Sequence, residues 1–108
     1  QQARFAEYVN LWRQRIEAIG TQQYPTGTEG KAYGSVQASL TIRSDGVLTD
    51  ISIDRPSDKA LLNQAVTRIA QLASPFAPFP REMALHVDQI VLTRTWHFVD
   101  GTLQASSP

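Results

Sequence analysis

Apolar residues recur at helical spacing from Phe5 onward, at Phe5, Tyr8, Val9, Trp12, Ile16 and Ile19, while Arg13, Gln14 and Glu17 fall on the other side. The pattern predicts a first helix that Gly20 ends, with Trp12 as a core residue. In "TQQYPTGTEGKAYG" the punctuation by Pro25, Gly27, Gly30 and Gly34 predicts a loop. Val36, Ala38, Leu40 and Ile42 then alternate with Ser35, Gln37, Ser39 and Thr41, the period of a strand with one dry face. Ser44-Asp45-Gly46 supplies a tight hairpin, and "VLTDISIDR" returns with Val47, Ile51 and Ile53 on one face until Pro56 stops it. Ser57 or Asp58 is placed to cap a second helix whose buried stripe is Leu61, Leu62, Ala65, Val66, Ile69, Leu72 and Ala73. Ser74-Pro75 closes that helix, because the residue before a proline is pushed out of helical geometry.

"SPFAPFP" contains a P-x-x-P, but between a helix and a strand, with Phe76 and Phe79 free to pack, it reads as a stiff connector. The stretch "HVDQIVLTRTWHF" alternates again. Ile90, Leu92, Trp96 and Phe98 share one face; Gln89, Val91, Thr93, Thr95 and His97 share the other. Arg94 interrupts the apolar face, where it either reaches solvent past Trp96 or pairs with a carboxylate. The tail "DGTLQASSP" reads as frayed.

The element order α-β-β-α-β predicts an α+β fold: two helices on one face of a three-stranded antiparallel sheet, in spatial order 2-1-3. Two edges are left. Asp50, Asp54, Arg55 and Pro56 blunt the edge of strand two, whereas strand three offers a long run without proline and with few charges. Such an edge invites a guest strand, or a second copy of the chain.

Composition narrows the picture. With 108 residues, 42% hydrophobic, residues 1–108 are expected to form one domain, with an ordered core at about 5–98 and a frayed tail at 99–108. Ten basic side chains balance ten acidic ones without clustering, so the footprint of a nucleic-acid binder is missing. No apolar run approaches the roughly 20 residues of a membrane span, and "QQARFAEYV" lacks the plan of a signal peptide; the polar start suggests a fragment of something longer. The absence of cysteine excludes disulfides and thiol chemistry. None of the G-x-S-x-G, P-loop, G-x-G-x-x-G or H-E-x-x-H motifs occurs, so no catalytic residue, cofactor site or small-molecule substrate is expected. His86 and His97 lack a third ligand at metal spacing and read as surface or hydrogen-bonded histidines; Asp50 and Asp54 read as a solvated face.

Four blocks in order carry a resemblance: "LWRQRIEAIGTQQYP", "YGSVQASLTIRSDGVLTDISI", "ASPFAPFP" and "LTRTWHF". From about Phe5 to Phe98 the chain resembles the C-terminal domain of the TonB family of energy transducers, most specifically at Tyr24-Pro25, Ser44-Asp45-Gly46, Pro75 to Pro80 and Arg94 to Phe98. The resemblance implies a periplasmic domain of a protein held in the inner membrane by an N-terminal helix, followed by a proline-rich linker, both outside this fragment. It implies that ExbB and ExbD couple the missing anchor to the proton gradient. It further implies that the domain grips outer-membrane receptors for siderophores, haem or cobalamin by adding their TonB box as a strand. Carried onto this chain, the contact falls on Ile90, Val91, Leu92, Thr93, Arg94, Thr95 and Trp96, flanked by Gln22, Gln23, Tyr24 and Pro25. Thr26, Gly27, Thr28 and Gly30 depart from the helical segment typical of the family at that point. Two other classes share the outline, a TolA-like envelope adaptor and a cystatin-type inhibitor. "PFAPFP" and "RTWHF" favour the TonB side, and "RSDGV" is too short and polar for an inhibitory wedge.

Overall fold

A computed structural model describes residues 2–108, with side chains from residue 4 on. Helix α1 runs over Gln2–Gln22, two residues past the expected stop. Gly20 is therefore a contact residue and not a terminator: a Cβ there would lie 2.1 Å from Leu103 Cδ2, so the glycine lets the tail approach the helix. A two-residue ladder, β1 (Thr26–Gly27) with β2 (Gly30–Lys31), occupies the glycine-rich loop, which is not helical.

Strands β3 (Gly34–Arg43), β4 (Leu48–Arg55), β5 (Gln89–Val99) and β6 (Thr102–Ser106) form one antiparallel sheet in the order β4-β3-β5-β6. The predicted order 2-1-3 is present as β4-β3-β5. The three-stranded sheet is not, because the tail expected to fray is a fourth strand. Asp100 and Gly101, with φ 52° and 80°, form a two-residue turn with both central residues left-handed, the geometry that folds a hairpin back with the sheet's own twist.

The β3–β4 turn has three residues. The Gly46 N–H donates to the Arg43 carbonyl and the Arg43 N–H to the Val47 carbonyl, with Gly46 at φ 89°. Two register shifts then leave Thr49 and Asp54 as extra residues on β4. The first bulge flips the alternation, so that Leu48, and not the expected Val47, joins Ile51 and Ile53 against the core.

Helix α2 (Ala60–Ala73) lies over β3 and β4. Neither expected cap is used in the usual way: Lys59 holds the cap position without a side-chain bond, and Ser57 Oγ accepts the Lys59 N–H. Leu62, Ala65, Val66, Ile69 and Ala73 are buried as predicted; Leu61 is half-buried and Leu72 exposed, so the stripe is narrower than the sequence implies. The connector does pack. Tyr8 meets Phe79 edge-on at 5.2 Å, Trp12 lies 6.4 Å from Phe76, and the Tyr8 hydroxyl donates to the Ala77 carbonyl at 2.6 Å. A short helix α3 (Arg81–Ala84), not predicted, follows and buries Met83. Trp96, Phe98, Leu40 and Ile42 form the floor of the core, with Ile16 of α1 above them.

Candidate functional site

Which backbone groups of β5 face outward follows from its two hairpin partners. The Ser44 N–H donates to the Asp88 carbonyl at 2.8 Å, so even-numbered residues of this stretch bond to β3. Val99 and Thr102 close the two-residue turn, so odd-numbered residues bond toward β6. Pairing with β6 covers Thr95 to Val99 only. The N–H groups of Gln89, Val91 and Thr93 point the same way and meet no partner among the described residues.

The β6 part of this same flank is sealed by α1. Thr21 Oγ1 accepts the Leu103 N–H at 3.3 Å, and Glu17 Oε2 accepts the Ala105 N–H at 2.9 Å. Thr21 and Glu17 belong to one i, i+4 row of the helix that continues through Arg13, Val9 and Phe5. Four helical residues advance about 6 Å and two strand residues about 6.7 Å, so the row stays nearly in step with alternate positions of a strand. Where β6 stops at Ser106, a groove of about 710 Å³ opens between Arg94 and this row, lined by Phe5, Val9, Arg13, Gln104 and Ala105 among others. Phe5, 42% exposed, contributes its ring to the groove.

Of the predicted contact residues, the structure keeps some at the edge and removes others. Val91, 58% exposed, and Thr93 present backbone outward. Ile90 and Leu92 are buried and turn their backbone bonds to β3. Thr95 and Trp96 are already opposite Ser106 and Ala105, with Trp96 fully buried. Arg94 pairs with no carboxylate among the described residues; its Nη1 donates to the Thr93 carbonyl at 2.7 Å. Gln22 and Gln23 are exposed at the end of α1, Pro25 is buried, and Tyr24 packs edge-on against Phe98 at 5.8 Å. The Tyr24 hydroxyl donates to the Ala32 carbonyl at 2.5 Å; burial, and secondarily the Asp100 carboxylate, raise its phenol above the ordinary range against a backbone bond at Gly101. That segment sits at the hairpin end of β5 and is not brought beside Gln89–Thr93.

Gln89 on the open edge and Phe5, Val9 and Arg13 along the groove are not among the expected contact residues. The signal for them was the i, i+4 row, which acquires meaning only once β6 is known to run beneath it. Of the other candidates, His97 bridges Ser35 (2.9 Å) and Ser106 (3.1 Å) across the polar face. Asp54 accepts from Ser39 and from Ser52, at 2.8 Å for the latter, and these bonds hold its carboxyl below the usual range. Among the described residues no group of His, Asp and Glu suited to a metal occurs and no helix is long and apolar enough to cross a membrane.

Residues 22–99 match the family described as Gram-negative bacterial TonB protein C-terminal. The chain belongs to that family of periplasmic domains of a transport system. The match starts at the last residue of α1 and ends before β6, so the helix row and the strand it seals both lie outside it. No curated protein and no solved structure matches the chain.

Proposed function

We propose that this domain takes an extended segment of an outer-membrane receptor, the TonB box, as an added strand on the open half of the β5 edge. The observation that carries the reading is the outward backbone of Gln89, Val91 and Thr93, whose N–H groups meet no partner among the described residues, lying in line with β6 and beside the α1 groove. Three residues offer up to six ladder bonds at about 0.5–1.5 kcal/mol net each, from which ordering a flexible peptide subtracts a comparable sum; affinity is modest. Gln22 to Pro25 act at a distance in this reading, by holding the far end of β5 through Tyr24 and Phe98. In this reading ExbB, ExbD and the proton gradient act through an N-terminal anchor, and the receptor that carries the box imports the siderophore, haem or cobalamin.

Amide chemical shifts followed during titration with TonB-box peptides test this. The expected result is a contiguous set of shifts at Gln89 to Arg94 and along Phe5, Val9 and Arg13. Shifts confined to the β4 edge, or to Gln22–Pro25 alone, refute it.

A further inference from the structure

We infer that two copies of the domain pair weakly through helix α1, antiparallel about a two-fold axis beside Leu11. On its connector side α1 borders a cleft of about 190 Å³, lined on the helix by Tyr8, Leu11, Trp12 and Arg15, with Phe76 and Ala77 as the far wall. Those four helix positions are i, i+3, i+4 and i+7, the diamond of side chains that receives a knob from a second helix. Tyr8 and Trp12 are buried and fix its floor, through the Tyr8 bond to the Ala77 carbonyl and the packing of Trp12 on Phe76. The hole is therefore formed before anything enters it. Leu11, 57% exposed, stands at its rim with most of its side chain in solvent.

Charge decides which helix fits. Glu7, Leu11 and Arg15 form one exposed i, i+4 row, with the acid and the base one turn to either side of the leucine. Glu7 makes no ion pair or hydrogen bond among the described residues, and Arg15 uses only its Nε, which donates to the Ala73 carbonyl at 2.7 Å. When a second α1 lies antiparallel with its Leu11 over the hole, Glu7 comes opposite the partner's Arg15 and Arg15 opposite the partner's Glu7. A two-fold axis makes each contact twice, and the same register sends each Leu11 into the other copy's hole. Acid, knob and base in reverse order are what the hole asks of its occupant, and α1 supplies them to itself. One helix crossing covers well under the about 1,200 Å² of stable interfaces, so the pair is transient, with a dissociation constant on the order of 0.1–1 mM. Leu11 points about 200° round the helix from Val9 and Arg13, so pairing leaves the groove and the β5 edge open.

Sedimentation equilibrium and amide shifts of the chain, followed from about 0.05 to 1 mM at low salt, test the pairing. Wild type is expected to associate, with concentration-dependent shifts at Tyr8 to Arg15 and at Ala77 and none at Gln89 to Thr93. L11A weakens association at least about fivefold, and E7R and R15E each at least about tenfold, because each sets like charges opposite one another twice. Equimolar E7R and R15E together recover it as a mixed pair, in which each variant meets its opposite charge. A mass and shifts that do not change with concentration in wild type overturn the proposal. So do shifts at Gln89 to Thr93 in place of α1, which mean pairing by sheet edges, and a mixture that associates no more tightly than its components. R15E gives up the bond to the Ala73 carbonyl, whereas E7R touches no bond of the fold. Association of E7R or L11A as tight as that of wild type therefore overturns the register whatever R15E does.

Discussion

Replacing Leu103 by alanine decides whether β6 is an integral strand or a tail resting on the sheet. Leu103 is 1% exposed, and its side chain fills the space against Gly20, where even a methyl group has no room. Neither partner can move in to close the gap, so the loss includes a cavity as well as the transfer of the lost carbons. Leucine-to-alanine changes at such sites cost about 2–5 kcal/mol. A hairpin arm can peel from β5 without disturbing β3, which limits the local effect to the lower part of that range, about 2–3 kcal/mol or roughly 30- to 150-fold in the opening equilibrium. Native-state hydrogen exchange separates the two sides of β5 by parity. Protection at Thr95, His97 and Val99, whose N–H groups point to β6, falls by that factor, while Trp96 and Phe98, bonded to β3, keep theirs. Equal loss on both sides refutes independent peeling of the hairpin. Unchanged protection on the β6 side refutes the anchoring role of Leu103.

Four other outcomes are expected. V91P removes a donor facing the open edge and weakens peptide binding by about tenfold or more with little loss of stability, whereas L92P breaks a bond to β3 and lowers the urea midpoint steeply, at about 3 kcal/mol. G46A loses at least about 2 kcal/mol in denaturant unfolding, because its Cβ would lie 2.1 Å from the Phe76 carbonyl oxygen and the residue has φ 89°. E17Q keeps an acceptor for the Ala105 N–H and costs little, while E17A loses about 1 kcal/mol and speeds exchange of that amide. Burial pushes the Tyr8 phenol up to about 12, above the unfolded value of about 10, so the folded chain holds this proton longer. The associated stability is full below about pH 10 and is lost as the pH rises toward 12; Y8F lacks this decline, as urea midpoints across that range will show.

Much of the fold was legible because it follows from periodicity. The faces of β3 and β5 match the alternation residue by residue, and the Phe76 and Phe79 positions pack as a connector's should. Three things were not legible, each for a physical reason. Gly20 looks like a helix stop in isolation, and only Leu103 across the gap explains why the helix continues past it. The switch from Val47 to Leu48 depends on a bulge at Thr49, which no alternation rule places. The β6 hairpin did announce itself, since Asp100-Gly101 is the dipeptide such a turn favours, but a short polar tail gave too little apolar signal to outweigh fraying. The shape of the open edge was hidden for the same reason: with β6 in place it is about half as long, and the helix becomes one of its walls.

The bulges at Thr49 and Asp54, with Asp50, Arg55 and Pro56 on the same ribbon, have a consequence for crowded solutions. A sheet receptive on both flanks can stack end to end without limit, as fibrils do. Here one flank is kinked and charged, so growth has only a single direction in which to begin and none in which to go on. Two molecules meeting through their open sides would close on each other and stop, so association through the sheet ends at a pair.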